Sequence, residues 1–100
     1  MSKPMEDLKN IRNKIDEIDE KLISLMAERT NFATEVALLK IELNMPVNDE
    51  KREQEIRERV CKLCEKYNFD CDLALKIIEM LVDYNKKIQI KEIDLKKIKN

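Results

Sequence analysis

Residues 6–44, EDLKNIRNKIDEIDEKLISLMAERTNFATEVALLKIELN, contain neither glycine nor proline and decide the fold. Large apolar residues recur there in alternating steps of three and four, the heptad spacing of a helix that packs along one face. We call this set the heptad stripe; its members are Leu8, Ile11, Ile15, Ile18, Leu22, Leu25, Phe32, Val36, Leu39 and Leu43. One helix over this stretch is about 57 Å long. That is roughly twice the diameter of a compact 100-residue protein, whose radius of gyration is about 13 Å. We therefore expect that this helix does not fold up on its own.

Arg29 interrupts the heptad stripe between Leu25 and Phe32. A guanidinium is costly to bury without a partner, so either its long side chain reaches water or the stripe opens around an anion. Lys40 follows eleven residues later, within about 20° of the same direction and about 16 Å further along the helix. The two side chains could lean together and hold a small dianion. The simpler alternative is two separate, solvated cations.

The composition favours a single soluble helical domain over residues 1–100, since 43% of the residues are hydrophobic and 41% are charged. Twenty basic residues face 21 acidic ones, so no overall charge favours nucleic acid or a membrane surface. The absence of glycine excludes glycine-rich phosphate loops, and the absence of histidine removes the usual general base and metal ligand. With no signal core and no apolar run near 20 residues, we expect a cytoplasmic protein.

The rest of the chain predicts two further helices and no strand, so the predicted fold class is all-α with three helices. We place the first helix at about 6–44, ended by Pro46, the second at about 49–67 and the third at about 71–95. The candidate N-terminal caps are Asn48 or Asp49 for the second helix and Asp70 or Asp72 for the third. The lysine-rich end at 86–100 is interpreted as a solvated helix end, with a basic tail for nucleic acid as the alternative.

The chain has three cysteines, Cys61, Cys64 and Cys71, so at least one has no partner within the chain. In a reducing cytoplasm we expect all three to be free thiols. Cys61 and Cys64 form a CxxC, but it lies within a predicted helix and lacks further metal ligands. This favours a packing role over redox chemistry or a metal site.

Polar residues interrupt the faces of the second and third helices as well. Asp49, Arg52 and Glu53 lie at i, i+3 and i+4 in the first turns of the second helix, which could equally be a surface ion-pair cluster. Asn85 and Gln89 lie at i and i+4 and continue an apolar face of the third helix. Such a face either lines a polar pocket or emerges into water.

Arg12 precedes Arg29 by 17 residues, about 25 Å along the helix and about 100° around it. The two guanidinium groups of one chain therefore cannot hold one small ligand. They could do so across a two-fold dimer whose first helices run antiparallel and cross near Leu22, close to the mean of positions 12 and 29.

Three segments carry a resemblance to a known family: LKNIRNKIDEIDEKLISLMAERTNFATEVALLK at 8–40, PVNDEKRE at 46–53 and LVDYNKKIQ at 81–89. Their combined spacing resembles the all-helical class of chorismate mutase over nearly the whole chain. The resemblance implies an intertwined homodimer of three-helix protomers that converts chorismate to prephenate in phenylalanine and tyrosine biosynthesis, without cofactor or metal. The alternatives are an isochorismate pyruvate-lyase of the same fold and a non-catalytic helical dimer or regulatory module that binds a metabolite.

The resemblance also implies substrate-binding roles. Arg29 and Lys40 would bind the substrate carboxylates in their own protomer, and Arg12 would reach into the site of the partner subunit. Lys40 and Gln89 would both contact the ether oxygen.

Further implied roles concern the ring and its surroundings. Asp49 and Glu53 would hold the ring hydroxyl, with Arg52 supporting them. The implied catalytic set is Arg29, Lys40, Glu53 and Gln89, and the implied apolar walls are Val36, Ile56 and Val82. Two positions depart from the best-known bacterial member: Asn85 replaces a serine and can still donate to a carboxylate, and Lys86 replaces a small apolar residue.

Overall fold

A computed structural model describes residues 2–99, with side chains through Lys96. It consists of three helices, α1 (Lys3–Glu42), α2 (Glu50–Tyr67) and α3 (Cys71–Lys99). No strand occurs within residues 2–99, and the predicted all-α fold class is confirmed. α1 begins three residues earlier than predicted because Pro4 fits the first helical turn, where its missing N–H is not needed. α3 continues beyond the predicted end, and the lysine-rich end falls partly outside the described side chains.

α1 ends at Glu42, because Asn44 adopts a left-handed conformation with φ 55°. The N–H groups of Asn44 and Met45 then donate to the carbonyls of Ile41 and Lys40, at 3.2 and 2.8 Å, and close the last turn. Asparagine takes the place that glycine commonly has in this motif, in a chain without glycine. Pro46 lies beyond this turn, so the prediction that the proline ends the helix was wrong.

Aspartates cap the other two helices. Asp49 Oδ1 accepts from the N–H of Arg52 at 3.1 Å, and Asp70 Oδ1 accepts from the N–H of Leu73 at 3.0 Å. Of the candidate caps, Asp49 and Asp70 are thus the ones used. Between them α2 ends at Tyr67, followed by the C-cap Asn68, which is also left-handed with φ 54°, and the chain turns back into α3.

A disulfide joins Cys61 to Cys71, so the prediction of three free thiols was wrong for this pair. The turn after α2 folds α3 back along it and brings the two Cα atoms to 5.3 Å. The sequence pattern did not indicate that these two cysteines lie close together. Cys64 is a free, buried thiol, as the packing role predicted.

α3 packs against both α1 and α2, and α1 is covered only toward its C-terminal end. Ala33 and Ala37 are 4% and 0% exposed, because small side chains let α3 approach α1 closely. Residues 2–28 are exposed throughout, so the molecule is elongated, with a radius of gyration of 18.7 Å and extents of 67 × 30 × 15 Å. Within residues 2–99 no helix is long and apolar enough to cross a membrane.

Candidate active site

A cavity of about 300 Å³ lies where the C-terminal third of α1, the first turns of α2 and the C-terminal half of α3 meet. It brings together seven of the eight predicted polar site residues, which are Arg29, Lys40, Asp49, Arg52, Glu53, Asn85 and Gln89. The predicted apolar walls Val36, Ile56 and Val82 line it as well. The cavity is completed by Phe32, Ala33, Val47 and Lys86.

The charges around the cavity favour an anion. Four cations, Arg29, Lys40, Arg52 and Lys86, face two carboxylates, Asp49 and Glu53, which leaves a local excess of two positive charges. The whole chain, in contrast, has a net charge of −1. Arg29 and Lys40 line the same cavity, which favours a shared anion over two separate, solvated cations. A small dianion is the ligand that this charge distribution suits best.

Arg29 is a partly buried cation held in a fixed position. Its Nη1 donates to Asn85 Oδ1. Burial, and then the charge of Arg52, lower the pKa of Arg29 below its ordinary value. Both causes act against the charged form, so an anion in the cavity would stabilise it. A planar guanidinium can bind both oxygens of a carboxylate.

Lys40 is tied to the connector between α1 and α2. Its Nζ donates to the carbonyl oxygen of Val47 at 2.7 Å, which places the ammonium at the cavity wall. An ammonium group has three N–H donors, so two remain for a ligand. The sequence could not indicate Val47, because a backbone carbonyl carries no residue-specific signal.

Glu53 forms an ion pair with Lys86 across α2 and α3, with 2.8 Å between Nζ and Oε1. The two side chains are 22% and 26% exposed. Arg52 was expected to support the carboxylates, but its guanidinium pairs with Glu55 at 3.6 Å on the exposed side. It contributes to the Asp49 cap only through its backbone N–H.

The two amides of α3 are buried but incompletely paired. Asn85 and Gln89 are 9% and 8% exposed, so the alternative that this face emerges into water was wrong. Among the described residues, neither Asn85 Nδ2 nor Gln89 Oε1 has a hydrogen-bond partner. A buried polar atom without a partner is costly unless a ligand supplies one. Both residues line the cavity, which is where such a ligand would lie.

Arg12 is the predicted site residue that lies elsewhere. It is exposed on the N-terminal part of α1, in a surface depression lined by Met5, Glu6, Leu8, Lys9, Asn10 and Asn13. Its contribution to the site of a second copy stays a prediction.

Comparison with known proteins decides the family. The family model for chorismate mutase type II matches residues 11–90. The chain belongs to the chorismate mutase type II family. A chorismate mutase from Methanocaldococcus jannaschii is 45% identical over 85 residues, which cover 85% of this chain and 86% of that protein.

This chorismate mutase type II chain is also similar to two further proteins, one much longer than the chain and one of nearly the same length. It is 33% identical over 73 residues to the bifunctional chorismate mutase/prephenate dehydratase of Escherichia coli, covering 73% of this chain and 19% of that protein. The solved structure of a monomeric chorismate mutase from Methanococcus jannaschii, determined by NMR, has a TM-score of 0.69 and 37% identity. That match covers 95% of this chain and 98% of the other.

Proposed function

We propose that this protein is a cytoplasmic chorismate mutase that rearranges chorismate to prephenate in the biosynthesis of phenylalanine and tyrosine. The observation that carries the proposal is the cavity, where a local excess of two positive charges surrounds two buried, incompletely paired amides. Chorismate is a dianion with two carboxylates, an ether oxygen and a ring hydroxyl. Its rearrangement breaks one C–O bond as one C–C bond forms within the same molecule. The enzyme therefore has to fix a reactive shape and stabilise developing charge.

Arg29 binds one carboxylate of chorismate through its planar fork. Asn85 accepts from one end of this guanidinium, which fixes its direction, and the unpartnered Nδ2 of Asn85 remains free to donate to the same carboxylate. Binding also relieves the unfavourable charge environment of Arg29, whose pKa is lowered by burial and by Arg52. These contacts hold the substrate in the compact geometry that the rearrangement requires.

Lys40 and Gln89 donate to the ether oxygen, which gains negative charge as the C–O bond lengthens. Lys40 retains two N–H groups after its bond to Val47. Rotation of the Gln89 amide by 180° exchanges its oxygen and nitrogen, so its unpartnered atom becomes a donor. By analogy with donors to other developing oxyanions, removal of either group should slow turnover by about 10²-fold or more.

Asp49 and Glu53 hold the ring hydroxyl, with Glu53 as the acceptor of its single hydrogen, and Val36, Ile56 and Val82 pack against the ring. Asp49 is fixed by its capping bond to the N–H of Arg52. The carboxylate of Glu53 favours the mutase over the isochorismate pyruvate-lyase, because the lyase pattern of this fold lacks this acid.

In this proposal the protein is a homodimer, and a second copy of the chain completes each active site. The exposed members of the heptad stripe toward the N-terminus are Leu8 (47%), Ile11 (55%), Ile15 (50%), Ile18 (54%), Leu22 (52%) and Leu25 (61%). A second exposed apolar row lies on α3, at Leu73 (48%), Ile77 (44%), Met80 (73%) and Tyr84 (55%). Monomers rarely expose such long contiguous apolar surfaces. An antiparallel copy that crosses α1 near Leu22 would cover the stripe and bring Arg12 of the partner subunit to the cavity.

The identity of the product tests this function. Purified protein is mixed with chorismate, its disappearance is followed, and the product is identified. We expect prephenate from the wild type, a loss of at least about 10²-fold for Arg29→Ala, and unchanged turnover for Arg59→Ala, a matched control on the exposed surface of α2.

Pyruvate released from isochorismate, without prephenate from chorismate, would instead assign the lyase. A folded dimer that turns over neither substrate would contradict catalysis and favour a metabolite-binding module.

A further inference from the structure

Glu53 places a negative charge inside a cavity whose other charges suit a dianion. On the proposed function, this carboxylate accepts from the ring hydroxyl, but its charge also repels the two carboxylates of the substrate. Water screens such repulsion little in a partly closed site, and Glu53 is only 22% exposed. The site therefore needs a hydrogen-bond acceptor at this position whose negative charge is largely neutralised.

Lys86 meets that need. Its ammonium lies 2.8 Å from Oε1 of Glu53, and among the described residues it is the only cation within salt-bridge distance of this carboxylate. A pair this close has little net charge when viewed from the far side of the cavity. Oε2, the other oxygen, is left to accept a hydrogen bond from a ligand.

The position of the pair also fixes where the acceptor lies. Glu53 is in the first turns of α2, and Lys86 is next to Asn85 and one turn before Gln89 on α3. Both members of the pair line the cavity on one side and an outer surface depression on the other. The ion pair is therefore the wall between cavity and solvent at this point, and it links the two helices that carry the hydroxyl and ether-oxygen contacts.

We propose that Lys86 is a positioning residue, which neutralises Glu53 and orients it so that one carboxylate oxygen accepts from the ring hydroxyl of chorismate. This inference rests on the proposed function. It explains how the site combines a carboxylate acceptor with affinity for a dianion. Lys86 itself does not touch the reacting atoms.

A double-mutant cycle over Lys86→Met and Glu53→Gln tests the inference, with kcat and KM measured for all four proteins; where a protein does not convert chorismate, its Kd for chorismate is measured instead. Methionine keeps the length of the side chain and removes its charge. In the wild-type background we expect Lys86→Met to lower kcat/KM about tenfold, mainly through KM, within the range of coupling between residues in contact. In the Glu53→Gln background the same substitution should lower kcat/KM clearly less, by about threefold or less, because only the attraction of Lys86 for the dianion is lost and no carboxylate is left unneutralised or misplaced.

Three further variants, Lys86→Arg, Lys87→Met and Lys86→Gln, separate positioning from stability. Lys86→Arg restores a cation and should recover most of the lost activity. Lys87→Met, which removes the same charge from an exposed neighbouring position, should behave as the wild type. Equal losses in both Glu53 backgrounds, or no loss at all, overturn the inference. If both Lys86→Met and Lys86→Gln lose helical content by circular dichroism, the pair is structural and the inference is likewise overturned.

The binding measurement distinguishes this inference from the proposed function. If the wild type binds chorismate without converting it, the proposed function fails, and the cycle in Kd still tests the link between Lys86 and Glu53. If the wild type neither binds nor converts chorismate, both are overturned.

Discussion

Two parts of α1 have the same heptad pattern and different surroundings. In residues 3–28 every side chain is exposed, and large apolar members such as Ile15 and Leu25 are 50% and 61% exposed. In residues 29–42 the helix packs on α3, and the buried residues are the small Ala33 and Ala37. The second part supplies Arg29 and Lys40 to the cavity.

The difference teaches that one continuous helix has two tasks. The C-terminal part builds a charged cavity within one protomer, because two alanines allow α3 to approach closely. The N-terminal part has the pattern of a packed helix, but no element of the described residues 2–99 packs against it. Heptad spacing indicates that a face will be covered, whereas it does not indicate which element covers it.

The largest expected effect comes from a charge placed in the exposed part of the stripe. Leu22→Lys puts two like charges near each other at the proposed crossing point and should separate the proposed dimer, measured by analytical ultracentrifugation. We expect turnover to fall by about 10²-fold or more, since Arg12 of the partner subunit no longer reaches the cavity. Ser24→Lys, about 200° around the helix, is the matched control and should stay dimeric. A stable, fully active Leu22→Lys dimer would contradict the proposal that the exposed part of α1 forms the dimer contact.

The second prediction tests the proposed contact between the buried Gln89 and the ether oxygen of the substrate. Gln89→Glu should lower turnover about 10²-fold at neutral pH, because an ionised carboxylate repels the negative charge on the ether oxygen. In acid the carboxyl is protonated and donates, so activity should recover as the pH falls. Burial of position 89, which is 8% exposed, raises the pKa of the introduced carboxyl, whereas the cations of the cavity lower it, so the pH of half-recovery measures the balance of the two.

The pH profiles of three proteins check this assignment. The wild type should vary little across neutral pH, since an amide does not titrate. Gln54→Glu, at an exposed position of α2, should follow the wild type. Parallel profiles for Gln89→Glu and the wild type would remove Gln89 from contact with the ether oxygen.

The smallest effect compares the same substitution in the two parts of α1. Ala37→Leu forces a large side chain into the contact with α3 and should cost about 1–3 kcal/mol of unfolding free energy. Ala27→Leu lies in the exposed part and should change it by no more than about 0.5 kcal/mol. Denaturant titrations of both variants provide the measurement. Equal costs would mean that the two parts of the helix are equally covered in solution.

Helical spacing explains how much of the site could be predicted. Arg29 and Lys40 share a face through eleven residues of one helix, and Asn85 and Gln89 share one through a single turn. Such relations are local, so the sequence contains them. The ends of the helices were harder to predict from a sequence without glycine, since Asn44 rather than Pro46 ends α1.

The remaining features depend on how helices are placed relative to one another. The disulfide between Cys61 and Cys71 requires α3 to fold back along α2. The ion pair between Glu53 and Lys86 joins residues 33 positions apart, and no periodicity links them. The sequence indicates Lys86 only as a departure from the family pattern, whereas its pairing with Glu53 depends on how α3 packs against α2.

The central claim is that each site combines Arg29 of one protomer with Arg12 of the partner subunit, and subunit mixing tests it most directly. Arg12→Ala and Arg29→Ala are each expected to be nearly inactive. After verified exchange of equal amounts, half of the dimers are mixed and each has one intact site, so activity should return to about a quarter of the wild type. No recovery after verified exchange would contradict shared sites and leave the exposed part of α1 without a role in catalysis.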